Sequence, residues 1–549
     1  GGRLPYQPLV EALRRRLERE NAPDDLLSDV WLAELTRLLP ELRDRYPDLS
    51  LPFTGLGETE ARTHLFEAVA RLFQALAEQA PLVLFLDDIQ WADAASLDLL
   101  QYVGLGWTES RAPVLALLSL RKDALAQSPA LNDWLSSLGR SLPVARLLLG
   151  PLSAEASMQL LRFLGKRGQE KETLQERTSP DLERLGQWLF AETGGQPFFL
   201  METLKALLEE GLLTLRLTES RQWVIDLESA ASRESHWGAL LPSGVQELIR
   251  SRLARLSPEA SGLLAAGAVL GHGFTFEHLC QVADLHERDG LRALDEVLRS
   301  GLLQEASNTE NLPSDQPYRF AHDKIREVVY AEAGEARRRM LHRRAMKVLQ
   351  HDAAPVTELA HHALAARLME PAFRLSVAAG EEAEHLFAST EAQQHFALAL
   401  EALSHLPDTQ DLRRQRVETI IKLVRVSWSA ENPEQLLRRL AEAESLARAF
   451  SGPDRRLLVH VHYWIGFMYF VRYALRQALE SLQQVLVEAR EVGDEELLAR
   501  ASVQIARVMI GQGQFGKIEA LLAPVVPLLE QTANWTDWIF ATGFRGMAL

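Results

Sequence analysis

Two adjacent carboxylates follow an apolar run in the first part of the chain. The sequence LVLFLDD spans Leu82–Asp88, and short unbroken apolar runs of this kind are typical of strands in parallel sheets. Ligands collect at the carboxyl ends of such strands, so both acids are expected to face a binding crevice. One carboxylate there can hold Mg²⁺ through its water shell, and its neighbour can polarise an attacking water. We predict two catalytic residues, Asp87 as the metal ligand and Asp88 acting on the water.

The same acid pair has a purely structural alternative. Two acids at a strand end can cap the next helix and solvate the end of the strand. The longer stretch DDIQWAD, Asp87–Asp93, favours the chemical interpretation. It resembles the Walker B region of the bacterial branch of signal-transduction ATPases with numerous domains, the STAND class.

Three further segments carry this resemblance, in the order of the family. LLSLR, Leu117–Arg121, is similar to its sensor strand, whose terminal Arg contacts the terminal phosphate. GGQPFFL, Gly194–Leu200, looks like its Gly-x-Pro element, which packs the adenine side of the nucleotide against a helical domain. YRFAHDKIRE, Tyr318–Glu327, resembles the Phe-x-His-Asp segment that ends its winged helix. The resemblance implies that four residues contact ATP or ADP: Arg121, Gly195, Pro197 and His322.

Each of these residues also has an ordinary structural explanation. Pro197 follows two glycines and suits the first turn of a helix, where its missing N–H costs nothing. Arg121 can pair with Asp123 or with another acid as a weak surface contact. His322 can simply be the entry residue of the following helix.

A phosphate-binding loop does not occur in this sequence. Such a loop needs a glycine-rich turn, a Lys and then Ser or Thr, so that N–H groups and the ammonium surround the phosphates. Gly55–Glu58 lacks the Lys, and Leu164–Arg167 lacks the hydroxyl. Gly1–Leu17 resembles the family segment downstream of the loop. We therefore expect the Walker A loop to precede Gly1 in the complete protein, and ATPase activity only there.

Strand candidates and helical candidates alternate in the first 150 residues. The strand candidates are Leu82–Leu86, Val114–Leu120 and Val144–Leu149, with helical periodicity between them in Glu67–Gln79 and Ser96–Val103. Alternation of this kind predicts a doubly wound α/β sheet whose strands are covered on both faces.

Helices dominate after Pro151. Thr218–Leu241 reads as a connection or a weak hairpin, and Ser243–Ser300 predicts four short helices. The strand candidates Leu302–Ala306 and Tyr318–Ala321 flank the turn-rich Ser307–Gln316, so helices followed by a hairpin predict a winged helix.

The segments beyond His322 all show helical periodicity. An aromatic residue followed five residues later by alanine occurs at Tyr473 and Ala478, and again about 42 residues later at Phe515 and Ala520. This offset is within the range of helix-pair repeats. Small residues at Ala383, Ala397 and Ala399 suit close helix packing. We predict a mainly α fold with an N-terminal α/β part, in four domains: a truncated P-loop NTPase sheet at 1–150, a helical lid at 151–240, a winged helix at 241–333, and an α-solenoid of tetratricopeptide-like repeats at 334–549.

Composition narrows the functional classes. Of 549 residues, 47% are hydrophobic and 24% charged, with a net charge of −16. This acidity disfavours broad binding to nucleic acid, which we expect only through a domain outside this segment. The single cysteine, Cys280, excludes an intrachain disulfide and fits a reducing compartment. No apolar run is long enough to span a bilayer, so a cytoplasmic protein without membrane contact is expected.

Two functions fit these features. The first is an ATP-dependent regulatory switch of bacterial signal transduction or transcription, in which a protein partner or small-molecule inducer binds the helical repeats, with signal-dependent self-association. The second is a non-catalytic scaffold with a degenerate ATPase fold. An aromatic stripe on one repeat helix, Tyr463–Phe470, either lines a ligand groove or packs between repeats.

Overall fold

The structure is a computed structural model. It describes residues 5–18, 26–52, 58–166, 180–209, 214–217, 223–226, 245–271, 273–305, 317–450, 454–532 and 534–548. The chain divides into two compact units. The first combines residues 1–144 with residues 349–549, and the second comprises residues 145–348.

The N-terminal part of the first unit is a small parallel sheet with helices on one side. Its strands are β1 (Leu82–Leu86) and β2 (Val114–Leu118). Its helices are α1 (Gln7–Glu18), α2 (Asp29–Leu35), α3 (Glu41–Arg45), α4 (Glu58–Gln79), α5 (Ala94–Ser110), α6 (Lys122–Gln127) and α7 (Pro129–Ser141). The strands pair in parallel, with Leu82 opposite Val114 and Leu86 opposite Leu118.

Among the described residues, helices cover only one face of this sheet. Leu84 and Leu86 are buried in a core shared with α4 and α5. The alternate side chains of β1, Val83 and Phe85, are 65% and 53% exposed. Leu115 and Leu117 of β2 are also exposed. The expectation of strands covered on both faces is therefore wrong for the described residues, because every neighbouring helix in the core lies on one side.

The third predicted strand does not form. Residues 144–149 have no strand structure, and Leu147, Leu148 and Leu149 are each at least 86% exposed. Within the described residues the parallel sheet consists of β1 and β2. An apolar run predicts burial, but a strand forms only where a second strand accepts and donates its hydrogen bonds.

The remainder of the first unit is a series of antiparallel helix pairs. Its helices are α17 (Val356–Ala365), α18 (Met369–His385), α19 (Ser389–Ser404), α20 (Gln410–Ser427), α21 (Pro433–Ala447), α22 (Arg455–Val471), α23 (Leu475–Val492), α24 (Glu495–Gly511), α25 (Ile518–Leu522), α26 (Val526–Gln531) and α27 (Trp535–Ala548). Tyr473 and Phe515 both follow the first helix of a pair, which matches their predicted repeat positions.

Small residues allow α18 and α19 to approach closely. A Cβ atom on Gly380 would lie 2.6 Å from the Phe396 ring, and Ala383 and Ala399 are fully buried. Ala397 was predicted at the same contact but is exposed, since it is rotated by about 100° around α19 from the buried Phe396. Helical periodicity located the helix and missed this one orientation.

The second unit contains the remaining helices and two antiparallel hairpins. The helices are α8 (Ala154–Lys166), α9 (Pro180–Thr193), α10 (Pro197–Glu209), α11 (Val245–Leu253), α12 (Pro258–Leu270), α13 (Phe276–Ala283), α14 (Glu287–Arg299), α15 (Asp323–Glu332) and α16 (Glu335–His351). The strands are β3 (Thr214–Leu217), β4 (Trp223–Asp226), β5 (Leu303–Glu305) and β6 (Tyr318–Phe320). The order of α11 to α14, then β5 and β6, is the one predicted from sequence.

The hairpins have defined registers. Thr214 pairs with Asp226, and Leu303 pairs with Phe320. The predicted turn at 307–316 and most of the predicted connection at 218–241 lie outside the described residues. Cys280 is buried on α13, as expected for a structural thiol.

Candidate functional site

Ser119 joins the two candidate acids at the carboxyl end of the parallel sheet. It directly follows β2, and its hydroxyl donates to Oδ1 of Asp87. The hydroxyl oxygen of Ser119 in turn accepts the backbone N–H of Asp88 at 2.9 Å. The backbone N–H of Ser119 donates to the Leu86 carbonyl at 3.0 Å, and its own carbonyl accepts from Ile89 at 3.0 Å. The loop after β1 is thus fixed to the end of β2.

Asp88 occupies a conformation that directs the chain into the next turn. Its φ of 55° is left-handed, and it precedes a 3₁₀ turn at Ile89–Trp91. Asp and Asn tolerate this region better than most residues, because a short polar side chain can bond locally. Here Oδ1 of Asp88 accepts from Nε2 of Gln90 at 2.7 Å. The side chain therefore supports the turn as well as facing the sheet end.

Gln90 connects the acid pair to the candidate sensor arginine. Its Oε1 atom accepts the backbone N–H of Arg121 at 3.2 Å. Arg121 caps α6 and is exposed. The structure thus brings Asp87, Asp88 and Arg121 together at the carboxyl ends of the two strands. Ser119 and Gln90 connect them by hydrogen bonds. In a parallel sheet, ligands bind at the carboxyl ends of the strands.

The acid pair fits a magnesium site that phosphate oxygens complete. Mg²⁺ usually retains several waters and binds one or two carboxylates together with substrate phosphates. Asp87 is exposed, and its carboxylate accepts a hydrogen bond from the neutral hydroxyl of Ser119. Within the described residues, no cluster of three or more His, Cys, Asp or Glu side chains forms a metal site. The acid pair provides the number of protein carboxylates that such a site uses.

Asp93 ends the acid-rich motif and starts α5. Its Oδ1 atom accepts the backbone N–H of Ser96 at 2.7 Å, as an N-cap residue does. The same oxygen accepts the backbone N–H of Tyr6 at 3.3 Å. Tyr6 is fully buried, and its hydroxyl donates to the Leu386 carbonyl at 3.0 Å. One residue of the motif therefore contacts the start of the chain, which in turn contacts the repeats.

Glu391 of α19 reaches the same helix start from the repeats. Its Oε1 atom accepts the backbone N–H of Ala94, the first residue of α5, at 2.7 Å. Burial, and then the nearby charge of Asp93, raise the pKa of Glu391 to about 6. Its second oxygen is buried and has no hydrogen-bond partner among the described residues. The repeats are thus hydrogen-bonded to the first residue of α5, directly after the acid-rich motif.

Gly195 and Pro197 form a tight connection in the second unit. Gly195 has a left-handed φ of 74° and its carbonyl accepts from the Leu152 backbone N–H at 2.9 Å. A Cβ atom there would lie 2.1 Å from the Leu152 carbonyl oxygen. Pro197 is the first residue of α10, a position that needs no N–H donor. Only glycine fits at position 195, so the local packing requires this glycine independently of any contact to a nucleotide.

The histidine candidate stacks on this element. The rings of Phe198 and His322 lie 3.7 Å apart between centroids, with an interplanar angle of 19°. His322 caps α15, and its Nδ1 atom accepts the backbone N–H of Lys324 at 3.0 Å. Since Nδ1 accepts, the ring can carry its proton only on Nε2 unless this bond breaks. The structure therefore joins His322 to the residue after Pro197.

A buried ion pair supports α10 from the other side. Arg252 of α11 donates to Glu202 and to the Ser300 carbonyl. The side chains of Arg252 and Glu202 are 4% and 2% exposed. The Nζ atom of Lys205 also lies 2.7 Å from Glu202. Arg252 thus links α11 to α10 and to the residue that follows α14. The sequence analysis did not identify this contact.

The site residues fall into two groups, one in each compact unit. The first unit holds Asp87, Asp88 and Arg121, and the second holds Gly195, Pro197 and His322. Sequence reasoning missed Ser119 and Glu391. The position of Ser119 at the carboxyl end of a predicted strand was a usable signal, whereas Glu391 gave none.

Comparison with protein families matches residues 2–115 to the family described as AAA ATPase domain. The match includes β1, the acid pair and the start of β2. It implies that this region binds a nucleotide. A curated relative, an uncharacterized protein of Rhizobium meliloti (strain 1021), is 24% identical over 396 residues, which are 70% of this chain and 34% of the relative. The chain therefore spans about a third of that relative's length.

Two solved structures resemble the chain weakly. One is a signal transduction ATPase with numerous domains (STAND) that has a tetratricopeptide repeat sensor, from Pyrococcus horikoshii, at 13% identity and a TM-score of 0.38 over 95% of this chain and 79% of that one. The other is a circular tandem repeat protein with novel repeat topology, at 15% identity and a TM-score of 0.13 over 94% and 96% of the two chains.

The region similar to the AAA ATPase domain family, residues 2–115, belongs to a chain that also contains a long series of helix pairs. The family match at 2–115 and the observed helices confirm the mainly α fold with an α/β start. They also agree with the ATPase part of the resemblance drawn from sequence. Among the described residues, we find no helix with the length and apolar character that crossing a bilayer requires.

Proposed function

We propose that this chain is the nucleotide-binding and regulatory part of a STAND-type signalling ATPase of bacteria. In this proposal ATP favours one arrangement of the protein, ADP favours another, and a ligand on the helical repeats biases the choice. The observation that carries the proposal is the bond between Glu391 and Ala94. A switch requires that ligand binding on the repeats and nucleotide binding on the sheet act on a shared element, and α5 is such an element.

The contacts of the acid pair support the roles that we propose for it. Asp87 holds Mg²⁺ through its water shell, because its carboxylate is exposed and faces a neutral hydroxyl. Asp88 orients the attacking water, with Gln90 fixing its carboxylate. Bound Mg²⁺ supplies charge stabilisation at the phosphates. Ser119 positions both acids and does not itself react.

The remaining candidates act on the two ends of the nucleotide. Arg121 detects the terminal phosphate, since an arginine at the carboxyl end of a strand can pair with phosphate oxygens. Gly195 and Pro197 support the adenine side, and His322 transmits the nucleotide state through its stacking on Phe198. We assign α11 to α14 with β5 and β6 to a winged helix that acts as a lever, with any output function lying in a different domain. We place the protein in the cytoplasm, because its single cysteine is a buried structural thiol.

The test uses the full-length protein and compares the switch with a scaffold. Hydrogen exchange of the α5 and α19 amides is measured without nucleotide, with Mg-ADP and with Mg-ATP. The switch requires that ATP and ADP give different protection at residues 94–100 and 389–396. Equal protection in all three states, with no measurable nucleotide binding, would favour a scaffold with a degenerate ATPase fold.

A further inference from the structure

Two short segments meet at the carboxyl ends of the parallel strands. The first, residues 87–90, follows β1, and the second, residues 119–121, follows β2. Ser119 bonds to three consecutive residues of the first segment through its hydroxyl and its carbonyl. A further bond runs from the backbone of Arg121 to the side chain of Gln90. Hydrogen-bond networks of this kind carry coupling between the groups that they join, so a shift of one segment is expected to move the other.

Gln90 is the side chain that reaches both Asp88 and Arg121. Its Nε2 atom donates to Oδ1 of Asp88 at 2.7 Å, and its Oε1 atom accepts the backbone N–H of Arg121 at 3.2 Å. These partners fix the orientation of the amide, because an oxygen in place of Nε2 would face a carboxylate and an NH₂ group in place of Oε1 would face an N–H. Gln90 therefore connects the backbone position of residue 121 to the carboxylate of Asp88.

The two acids are held by different side chains. Asp87 accepts from the hydroxyl of Ser119, whereas Asp88 donates to that hydroxyl through its backbone N–H. Among the residues that the structure describes, Gln90 is the one hydrogen-bond donor to the carboxylate of Asp88. A change at Gln90 is therefore expected to alter the orientation of the Asp88 carboxylate and to leave the Asp87 carboxylate in place.

The Arg121 end of this link lies at the residue proposed to contact the terminal phosphate. Arg121 is exposed, and the terminal phosphate of ATP offers its guanidinium a charge-assisted hydrogen bond that ADP lacks. Since the N–H of the same residue is bonded to Gln90, movement of Arg121 towards a phosphate displaces the amide. A misplacement of about 1 Å can cost about 100-fold in rate. A small displacement of Gln90 is thus enough to change the rate of hydrolysis.

We propose that Gln90 is a positioning residue that makes ATP hydrolysis depend on the contact between Arg121 and the terminal phosphate. While Arg121 holds this phosphate, Gln90 sets the Asp88 carboxylate in the orientation that aligns the attacking water. Gln90 itself forms no covalent bond and transfers no proton. The inference rests on the proposed function, because it uses the roles proposed for Asp88 and Arg121, and it deepens that function by naming how the site is regulated.

A purely structural role for Gln90 is the alternative that an experiment has to exclude. Asp88 has a left-handed φ of 55°, and the bond from Gln90 supports this turn. Such a role requires the bond to Asp88 but not the bond to Arg121. The two bonds use different atoms of the amide, so substitutions can remove them separately.

Single-turnover hydrolysis and equilibrium binding of Mg-ATP are measured on the full-length protein. Gln90→Leu removes both bonds at similar side-chain size. We expect the single-turnover rate to fall by about 10- to 100-fold, while the affinity for ATP changes by less than about twofold, because the lost interaction acts in the transition state. Gln101→Leu is the matched control, since Gln101 is also half-buried but donates to Ser137 of α7. Its rate should equal that of the wild type.

Two further substitutions separate the two bonds. Gln90→Glu keeps an acceptor for the Arg121 N–H and loses the donor to Asp88. Gln90→Lys keeps a donor to Asp88 and loses the acceptor. The proposal requires both bonds, so we expect both variants to be slow. Full activity in Gln90→Lys would reduce Gln90 to support of the turn and would overturn the proposal.

The double variant Gln90→Leu/Arg121→Ala tests whether the two residues act as one unit. If Gln90 acts through Arg121, the two losses of rate do not add, and the double variant is about as slow as the slower single variant. A loss equal to the product of the two single losses would contradict the link. Circular dichroism confirms that each variant is folded.

The outcomes separate this inference from the proposed function. An unchanged rate in folded Gln90→Leu, in a protein whose wild type hydrolyses Mg-ATP, would overturn the inference alone. A wild-type protein that neither binds nor hydrolyses Mg-ATP would overturn the proposed function, and the inference with it.

Discussion

Oε1 of Glu391 lies 2.7 Å from the backbone nitrogen of Ala94, although 297 residues separate them in the chain. The acceptor belongs to a repeat helix, and the donor is the first residue of α5, directly after the acid-rich motif. A helix start attracts negative charge because its N–H groups are unpaired. The repeats therefore contact the start of α5 through the carboxylate of Glu391. The pKa of this carboxylate is raised to about 6, so it takes up a proton at only slightly acidic pH.

Replacing Glu391 with Gln should remove a pH dependence of stability. The pKa of Glu391 rises from 4.5 to about 6 in the folded chain, so the folded state binds the proton more tightly than the unfolded state. This group therefore lowers the free energy of unfolding as pH rises from about 4.5 to 6, by about 2 kcal/mol in total. Denaturant unfolding between pH 4.5 and 7 should show this fall in the wild type and not in Glu391→Gln.

The control for this prediction lies on the same helix. Glu401 is exposed on α19, and Glu401→Gln should retain the wild-type pH dependence. Glu391→Ala should be destabilised across the whole range, because the Ala94 N–H loses its acceptor. An identical pH profile for the wild type and Glu391→Gln would contradict the assigned protonation behaviour.

Replacing Asp87 with Ala should abolish Mg²⁺-dependent ATP hydrolysis in the full-length protein without unfolding it. Asp87 is exposed, so its removal leaves no buried cavity. The expected loss of turnover is at least about 100-fold, the order found when one group that stabilises transition-state charge is removed. Asp98→Ala, at an exposed position on α5, is the control. Unchanged turnover in folded Asp87→Ala would refute the metal assignment.

Replacing Arg121 with Ala should reduce the preference for ATP over ADP. A phosphate-contacting arginine adds affinity only where the terminal phosphate is present. Titration calorimetry on the full-length protein should show weaker ATP binding, with ADP binding almost unchanged. Arg140→Ala, at an exposed position on α7, should affect neither. The same ATP-to-ADP affinity ratio before and after would remove Arg121 from the site.

Gly195→Ala should destabilise the second unit more than Gly194→Ala. Both glycines have a left-handed φ, of 74° and 58°, which costs an alanine about 1 to 2 kcal/mol. At 195 the new Cβ also meets a backbone oxygen at 2.1 Å, whereas no atom lies within 4 Å at 194. Overpacking of this kind adds about 1 to 3 kcal/mol. Thermal unfolding measures the difference, and equal midpoints for the two variants would contradict the close approach.

Arg252→Ala should cost about 3 to 5 kcal/mol of stability, because it leaves the buried charge of Glu202 without its main partner. Arg250→Ala on the same helix provides the comparison. Its side chain pairs with Glu332 at the surface, where both are about half exposed, and such pairs contribute about 0 to 1 kcal/mol. Chemical denaturation of both variants should separate them clearly. Equal losses would contradict the stronger contribution assigned to the buried pair.

Local patterns predicted the elements that carry the candidate site. An apolar run followed by Asp87 and Asp88 was enough to place a strand and the acids at its end, because both features lie within seven residues. Gly195 and Pro197 were also recognised from neighbouring residues. The segment at 144–149 shows the limit of this approach, since its apolar pattern is that of a strand but pairing depends on distant residues.

The contacts that give the site its context depend on packing. Glu391 stands in an ordinary helical segment, and only the approach of α19 to α5 gives it a role. Arg252 and Glu202 are 50 residues apart, and neither position is distinguished by its neighbours. Charged residues are read from sequence as solvated unless a partner is known, so buried ion pairs are systematically missed.

Val83 and Phe85 of β1, with Leu115 and Leu117 of β2, present an apolar strand surface to water. Open apolar strands are where separate copies of a protein adhere to one another. A purified sample of this chain should therefore bind hydrophobic dyes and aggregate as its concentration rises. A mild detergent or a charged substitution such as Phe85→Lys should keep it dispersed for the measurements described above.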